Sequence, residues 1–219
     1  MLKIPSSIVD VHWLHQNLRN DNLIILNATI KKAGLEESAT GKNMKIPNAI
    51  FFDIKSKFSD SQSLLPNTFP DEEQFQENSR ALGIKQDSCI VVYDELGVYS
   101  SPRAWWLFKS FGFDNITVLN GGLPEWKKHG YILEENIQRE LLMKGDFIAS
   151  LKSNNIKYTG DILDIIKNND SSLLDARSAG RFNATQPEPR ADLKGGHVPT
   201  SISLPYSDLQ ENGKMKNKS

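Results

Sequence analysis

One stretch of the chain, CIVVYDELGVYSSPRAWWLFKSFG at residues 89–112, combines residue types that can bind or attack an anion. Its opening run, CIVVY, is apolar and rich in β-branched residues, which predicts a strand buried on both faces. Ser101 and Pro102 suit the N-cap and first position of a helix that we expect to end at Phe111. A loop between the carboxyl end of a strand and the amino end of a helix gathers backbone N–H groups around one point. The sequence therefore predicts an anion site between this strand and this helix.

The single cysteine, Cys89, stands at the wrong end of the predicted strand to serve this site. A strand advances about 3.3 Å per residue, which puts the thiol roughly 16 Å from the loop. The neighbouring residues are apolar, and an apolar environment disfavours the thiolate that a nucleophile requires. We therefore interpret Cys89 as a small buried core residue.

Composition excludes several classes of function. The chain carries 26 basic and 27 acidic residues, so its net charge of -1 offers no basic surface to nucleic acid. Its apolar runs are far shorter than the roughly 18 residues of a membrane span, and its amino end lacks the apolar core of a signal peptide. One cysteine and four scattered histidines give no internal disulfide and no metal-ligand spacing. We therefore expect a cytoplasmic protein with no nucleic-acid, membrane or metal partner.

The elements that position the loop are predicted to alternate between strands and helices. The predicted strands cover residues 23–29, 49–54, 89–93 and 116–119. Helices are predicted over residues 7–18 and after Pro70, Pro102 and Pro124. This β-α-β-α-β order is typical of an α/β fold with a mainly parallel sheet and helices on both faces. His12 and His15 on the first helix show no partner in the sequence and are interpreted as ordinary side chains.

An internal repeat sets the predicted domain organisation. The runs LIILNAT at residues 23–29 and IPNAIFFDI at 46–54 are echoed by SLLDARS at 172–178 and VPTSISLPY at 198–206. Each copy has a strand, a polar loop, an apolar residue followed by proline, and a second strand. The repeat predicts a complete domain at residues 1–135, a linker at 136–157, and the amino-terminal part of an incomplete second copy at 158–219.

Several segments resemble the rhodanese family, and within it the two-domain thiosulfate and 3-mercaptopyruvate sulfurtransferases. They are FFDI at 51–54, VVYDELGVYSSPRAWWLF at 91–108, VLNGGLPEW at 118–126, DARSAGRFNATQPEPR at 175–190 and GHVP at 196–199. The resemblance implies rhodanese-like domains, each with a central parallel sheet flanked by helices. It also implies a ping-pong reaction, in which a cysteine thiolate takes a sulfane sulfur from a small anionic donor and holds it as a persulfide. The sulfur then passes to a thiol or cyanide acceptor, with no metal or organic cofactor.

The resemblance also implies substrate-binding residues. Two arginines of the DARSAGRFNATQPEPR motif bind the anionic donor in this family, and they correspond to Arg181 and Arg190. A planar guanidinium can hold a carboxylate or a pair of thiosulfate oxygens through two parallel hydrogen bonds. The alternative is that one of these arginines pairs with Glu188 or Asp192 on the surface. Arg177 is interpreted as part of the framework.

The nucleophile that the family uses is missing from these residues. It belongs in a Cys-x-x-Gly-x-x-Ala stretch directly after a strand of the second domain, and we expect that stretch to lie beyond Ser219. The first domain has Asp94 at the equivalent place, which supplies no sulfur nucleophile. Lys55 stands where the family usually has an acidic residue, and residues 59–66 lack the usual histidine. We therefore expect a chain truncated within its second domain, with no catalytic residue and no activity alone.

Three functions are consistent with this sequence. The first is a sulfurtransferase by family that is inactive as this chain alone. The second is a non-catalytic rhodanese-like module for binding or regulation. The third is one half of a split enzyme, in which a complementing chain supplies the missing strand, loop and helix.

Overall fold

The computed structural model of the chain describes residues 1–30, 44–136, 143–189 and 193–216. The chain divides into two compact units. Unit 1 comprises Met1–Lys152 with Asn212–Lys214, and unit 2 comprises Ser153–Glu211 with Met215–Ser219. None of the described helices has the length and apolar content that crossing a bilayer requires.

Unit 1 is built on a five-stranded sheet. The strands of this unit are β1 (Ile8–Val9), β2 (Leu23–Asn27), β3 (Met44–Lys45), β4 (Ile50–Phe51), β5 (Cys89–Tyr93), β6 (Ile116–Leu119) and β7 (Glu134–Glu135). The main sheet has the order β1-β6-β5-β2-β4, and every neighbouring pair in it is parallel. β3 and β7 form a separate antiparallel ribbon.

Helices connect these strands. They are α1 (Val11–Asn17), α2 (Glu72–Ala81), α3 (Ser101–Ser110) and α4 (Gly122–Lys128). α2 begins after Asp71, whose carboxylate accepts a backbone N–H of the first turn at 2.7 Å, and the chain leaves it through Gly83 at φ 75°. Aromatic rings join α2 to α3, since Phe75 lies 5.0 Å from Phe108 and 4.2 Å from Phe111 between ring centroids. The prediction of a central parallel sheet flanked by helices is confirmed.

β5 is the innermost strand, and all of its residues are buried. It pairs with β2 on one edge, with Val92 opposite Leu26, and with β6 on the other edge, with Val92 opposite Val118. A strand in this position has no solvent-facing side, which is why the continuous apolar run CIVVY predicts it. The carboxyl end of β5 leads directly into the loop that begins at Asp94.

The first helix is shorter than the predicted helix over residues 7–18. α1 begins after Asp10, whose carboxylate accepts the backbone N–H of Trp13 at 2.8 Å. The residues before Asp10 form β1 instead, where the N–H of Val118 donates to the carbonyl of Ser7 at 3.0 Å. Apolar spacing over so few residues does not separate an edge strand from a first helical turn, and the hydrogen bonds to β6 decide the outcome.

Residues 143–152 pack on unit 1, although their polar composition predicts a linker. Phe147 is 1% exposed, its N–H donates to the carbonyl of Ile84 at 3.2 Å, and its own carbonyl accepts Nε of Arg80 at 2.7 Å. Gly145 lies so close to the same backbone that an added Cβ would be 1.9 Å from the Ile84 carbonyl oxygen. One aromatic anchor therefore fixes a segment whose average composition is polar. The division of the chain into domains otherwise stays a prediction.

Unit 2 is smaller and has little core. The remaining elements of the chain are α5 (Thr159–Asn168), β8 (Leu174–Asp175), α6 (Ala179–Phe182), β9 (Ile202–Ser203), β10 (Gln210–Glu211) and β11 (Lys214–Met215). β8 and β9 are parallel, with Leu174 opposite Ile202. Among the described residues of unit 2, Pro205 alone is buried.

Replacing Phe147 with alanine should lower the free energy of unfolding of unit 1 by about 3–5 kcal/mol, because it empties a buried aromatic site. Ile148→Ala is the matched control, since Ile148 is the next residue and is 58% exposed. We expect its effect to stay within about 0.5 kcal/mol. Urea unfolding followed by tryptophan fluorescence measures both variants, because all four tryptophans lie in unit 1. Equal losses of stability would contradict the packing of this segment on unit 1.

Candidate functional site

The loop after β5 forms the predicted anion site, and the side chain of Asp94 fills it. Asp94 is fully buried. Its Oδ2 accepts the backbone N–H groups of Tyr99, Ser100 and Ser101 at 2.9, 3.0 and 2.9 Å, and the Ser101 hydroxyl at 2.7 Å. Its Oδ1 accepts the N–H of Leu96 at 2.9 Å. Five donors therefore converge on a carboxylate that belongs to the chain itself.

This carboxylate caps α3. The predicted N-cap, Ser101, was wrong by one position, because the helix already begins at Ser101 and the preceding Ser100 makes no side-chain cap bond. Buried N–H groups of a first helical turn need acceptors, and Asp94 supplies one at the positive end of the helix dipole. An external anion would have to displace Asp94 to reach these donors.

The start of α4 holds the same loop from the other side. The N–H of Leu123 donates to the carbonyl of Asp94 at 3.0 Å. Gly122 has a φ of 51°, and an added Cβ there would lie 2.3 Å from the Asp94 carbonyl oxygen and 2.5 Å from that of Gly97. Only a residue without a side chain permits this approach. The loop is therefore closed against α4.

Cys89 lies at the amino end of β5, opposite Leu23 of β2. Its side chain has no exposed surface, and burial raises the pKa of its thiol to about 11. The thiol is therefore protonated at neutral pH, in agreement with its interpretation as a core residue. The sequence contains no other cysteine.

A second candidate site lies in unit 2, where two arginines and two carboxylates form what we call the arginine cluster: Asp175, Arg177, Arg181 and Glu188. Arg181 donates to Oε2 of Glu188 from Nε at 3.0 Å and from Nη2 at 2.5 Å. Arg177 donates from Nη1 to the other oxygen of Glu188 at 2.8 Å. Arg181 therefore makes the ion pair that stood as the alternative to donor binding. Arg190, the other predicted donor-binding residue, lies outside the described residues.

The arginine cluster is held by the loop that follows β8. Arg177 donates to Asp175 from Nε at 3.0 Å and from Nη2 at 2.5 Å, and to the carbonyl of Gly196 at 2.7 Å. The hydrogen bonds from Arg177 lower the pKa of Asp175 to about 2, and those from Arg181 lower the pKa of Glu188. The Glu188 side chain is 2% exposed and that of Arg181 is 31% exposed. Arg181 is thus fixed in orientation while part of its surface stays open.

A cavity of about 350 Å³ adjoins the arginine cluster. Its lining residues are Ala184, Thr185, Gln186, Pro187, Glu188, Leu193 and Gly195. Glu188 belongs to both the cavity and the cluster, so a ligand in the cavity would lie beside a carboxylate already paired with two guanidinium groups. The volume is suitable for a small molecule.

Three of the four histidines surround Tyr131, which no short-range pattern predicts. Nδ1 of His12 lies 2.5 Å from the Tyr131 hydroxyl, the ring of His15 stacks on the tyrosine ring at 4.0 Å, and His129 lies 4.7 Å from His12 between ring centroids. His12 and His15, which show no partner in the sequence, thus both contact Tyr131 in the fold. A cavity of about 120 Å³ adjoins His12 and His129. In the part of the chain that the structure describes, no three His, Cys, Asp or Glu side chains are grouped to hold a metal ion.

The sequence is similar to proteins of one family. The rhodanese-like domain matches residues 10–129. The chain is 35% identical over 211 residues to the 3-mercaptopyruvate sulfurtransferase of Escherichia coli K12, covering 95% of this chain and 74% of that protein. It is 36% identical over 227 residues to the mitochondrial thiosulfate/3-mercaptopyruvate sulfurtransferase 1 of Arabidopsis thaliana, covering 92% of this chain and 59% of that protein.

Solved structures show the same likeness. SseA from Escherichia coli, described as a 3-mercaptopyruvate sulfotransferase with the rhodanese fold, superposes with a TM-score of 0.84 at 33% identity, covering 97% of this chain and 79% of SseA. Tum1 from Saccharomyces cerevisiae gives a TM-score of 0.84 at 26% identity, covering 95% of this chain and 73% of Tum1. Both similarities extend over nearly the whole chain.

The pKa of Asp175 should be about 2 in the folded protein, below its ordinary value of 3.8, because Arg177 stabilises the ionised form. A lowered pKa stabilises the fold fully above the ordinary value, and this stability is lost as the pH falls through the folded-state pKa. An NMR titration of the carboxyl carbon measures it directly. Arg177→Gln should return the pKa toward 3.8, whereas the matched charge change Lys167→Gln on α5 should not. A wild-type Asp175 that titrates at its ordinary value would contradict the cluster.

Proposed function

Because the chain belongs to the rhodanese family of sulfurtransferases, we propose that it provides the fold and the donor-binding arginines of a thiosulfate or 3-mercaptopyruvate sulfurtransferase, but not the nucleophile. The reaction moves a sulfane sulfur from a small anionic donor to a thiol or cyanide acceptor through a cysteine persulfide. The supporting observation is that Asp94 fills the anion loop of unit 1 while the single cysteine, Cys89, is buried elsewhere. A polypeptide of these 219 residues is therefore inactive by itself.

The chemistry of the two candidate groups supports this conclusion. Sulfur transfer begins with a thiolate, which attacks the transferable sulfur of the donor and forms a persulfide. The bond between that sulfur and the rest of the donor breaks, and its electron pair leaves with sulfite from thiosulfate or with the enolate of pyruvate from 3-mercaptopyruvate. With a pKa of about 11, Cys89 is ionised to about one part in ten thousand at neutral pH. Its side chain has no exposed surface, so donor and acceptor do not reach it. Asp94 presents oxygen where the reaction needs sulfur.

We assign donor binding to Arg181. Arg190 is assigned the same role only because of its position in the sequence motif. Two parallel hydrogen bonds from a guanidinium suit the carboxylate of 3-mercaptopyruvate or the oxygens of thiosulfate. Glu188 already holds Arg181 through two hydrogen bonds, so the arginine loses little further conformational freedom when a donor binds. The adjoining cavity of about 350 Å³ has room for such an acid.

A non-catalytic binding or regulatory module is the second candidate function, and Asp94 favours it. Unit 1 has a rhodanese-like sheet whose anion loop is filled from within, which stabilises the fold and leaves no reactive group there. In that case, an anion held by Arg181 would regulate the protein and would not be consumed. Restored sulfur transfer on addition of a complementing chain with a cysteine would favour the enzyme over the module.

The chain alone should bind 3-mercaptopyruvate without transferring its sulfur. Calorimetry measures the binding, and thiocyanate formation from cyanide measures the transfer. Arg181→Gln should weaken binding about tenfold or more, because charge-assisted hydrogen bonds are lost. The control Lys167→Gln makes the same charge change on α5 and should leave binding unchanged.

Two results would contradict this proposal. Turnover by the wild-type chain that disappears in Cys89→Ser would show that the buried cysteine is the nucleophile. Binding that is the same in Arg181→Gln and in Lys167→Gln would remove Arg181 from the donor site.

A further inference from the structure

A small cavity of unit 1 lies where the parallel strands β1 and β6 end. Its volume is about 120 Å³. Asp10 directly follows β1, and Asn120 directly follows β6, the neighbour of β1 in the sheet. The residues that line the cavity all belong to unit 1: Asp10, Val11, His12, Asn120, Glu125, His129 and Lys214. Because α/β sheets bind ligands outside the carboxyl ends of their strands, the cavity is suitably placed for a ligand.

The two carboxylates at this cavity are balanced by two ammonium groups. One oxygen of Glu125 lies 3.1 Å from Nζ of Lys214, and the other oxygen lies 3.8 Å from Nζ of Lys128. The carboxylate of Asp10 accepts the backbone N–H of Trp13 at 2.8 Å. The surroundings of the cavity therefore carry no net charge while their histidines are neutral.

Two histidines at the cavity add positive charge when they take up protons. Nδ1 of His12 lies 2.5 Å from the Tyr131 hydroxyl, and Nδ1 of His129 lies 2.9 Å from the backbone carbonyl of Glu125. Since a carbonyl only accepts, Nδ1 of His129 carries a hydrogen and Nε2 of the neutral ring carries none. A second proton turns Nε2 into a donor, which is what an oxyanion requires. Histidine makes this change between pH 5 and 8.

Protonation of both rings brings the charge around the cavity to +2. The ring centroids of His12 and His129 are 4.7 Å apart, so two imidazolium groups at this distance repel each other. A bound anion with two negative charges offsets this repulsion, whereas an anion with one charge leaves half of the positive charge uncompensated. In the part of the chain that the structure describes, no group of His, Cys, Asp or Glu is arranged for a metal ion, and the ammonium group of Lys214 repels a cation.

We propose that this cavity binds a tetrahedral oxyanion with two negative charges, such as sulfate, and that His12 and His129 take up protons when it binds. Lys214 supplies a fixed positive charge. The cavity has the volume of about four water molecules, which gives such an anion room. The site goes beyond the proposed function, because it lies in unit 1 and uses neither the donors around Asp94 nor Arg181.

Two further titratable groups face these rings. Tyr131 lies between His15 and His129, with its ring centroid 4.0 Å from that of His15 and 6.0 Å from that of His129. His15 does not line the cavity. His15→Gln is therefore the matched control for the two histidines of the site.

NMR signals of the four histidine rings, recorded on the full chain during titration with sulfate, test the proposal. Sulfate keeps both charges between pH 6 and pH 8, so any pH dependence of its binding belongs to the protein. Chloride at equal ionic strength is the comparison anion. His197 serves as an internal reference, since it lies in unit 2 with Nδ1 2.9 Å from the carbonyl of Phe182.

We expect sulfate to shift the signals of His12 and His129 to saturation, with an affinity about tenfold or more higher at pH 6 than at pH 8. The direction follows from linkage, because an anion that favours protonated rings binds more tightly when protons are abundant. His12→Gln and His129→Gln should each reduce this pH dependence, whereas His15→Gln should leave it unchanged.

Lys214→Gln should weaken sulfate binding at pH 6 about tenfold or more, because a charge-assisted contact is lost. Lys127→Gln makes the same charge change at an exposed position of α4 outside the cavity and should alter binding by less than about twofold. Backbone amide spectra identify a variant that fails to fold, and the comparison of the wild-type chain at two pH values then decides the question by itself.

Three results would overturn the proposal. Signals that respond to chloride as strongly as to sulfate, or that never saturate, would indicate an adventitious ion only. An affinity that is the same at pH 6 and pH 8 would remove the coupling to His12 and His129. Equal losses in Lys214→Gln and Lys127→Gln would place the anion outside this cavity.

Discussion

The five hydrogen bonds to the Asp94 carboxylate are the interaction on which the rest of unit 1 depends. β5 is buried along its whole length, and the loop that follows it begins at the fully buried Asp94. The N–H groups of that loop and of the first turn of α3 would each cost free energy if they were buried without an acceptor. The Asp94 carboxylate satisfies them together, while the backbone carbonyl of the same residue accepts the N–H of Leu123 at the start of α4.

The same interaction decides what unit 1 can do. A ring of backbone donors at the start of a helix stabilises a negative charge, whether the charge is a carboxylate, a thiolate or a bound anion. In this chain the donors bind the carboxylate of Asp94. Cys89 lies at the far end of the strand, and the pKa of its thiol is raised. Unit 1 therefore has the geometry of an anion site whose donors are occupied by its own carboxylate. In unit 2, by contrast, part of the polar side chain of Arg181 stays exposed.

Much of the fold was predictable from the sequence, because short patterns determine it. The run CIVVY predicts a strand buried on both faces, and the alternation of elements predicts the parallel sheet. The polar composition of residues 143–152 predicts a linker and does not reveal that Phe147 is buried against unit 1. The contacts between His12 and Tyr131 join residues far apart in the chain, and no local spacing reports such a contact.

The position of the candidate site was predictable from the sequence, but the group that occupies it was not. The strand-loop-helix pattern predicts an anion site after β5, whereas the choice of Asp94 as its anion depends on the angles at which five donors meet. The choice for Arg181 between a neighbouring carboxylate and an external donor depends on free energies that a sequence motif does not contain. The sequence offers Glu188 as one possible partner, and the fold shows that Arg181 pairs with it.

Whether the donors after β5 hold a negative charge is tested most directly by Asp94→Cys, with the pKa of the introduced thiol read from ultraviolet thiolate absorbance. Cys89 serves as a reference in the same molecule, since burial raises its pKa to about 11. We expect the introduced thiol to titrate below the ordinary cysteine value of about 8.5, because the loop stabilises the thiolate. An introduced thiol that titrates at or above that value would contradict the anion site.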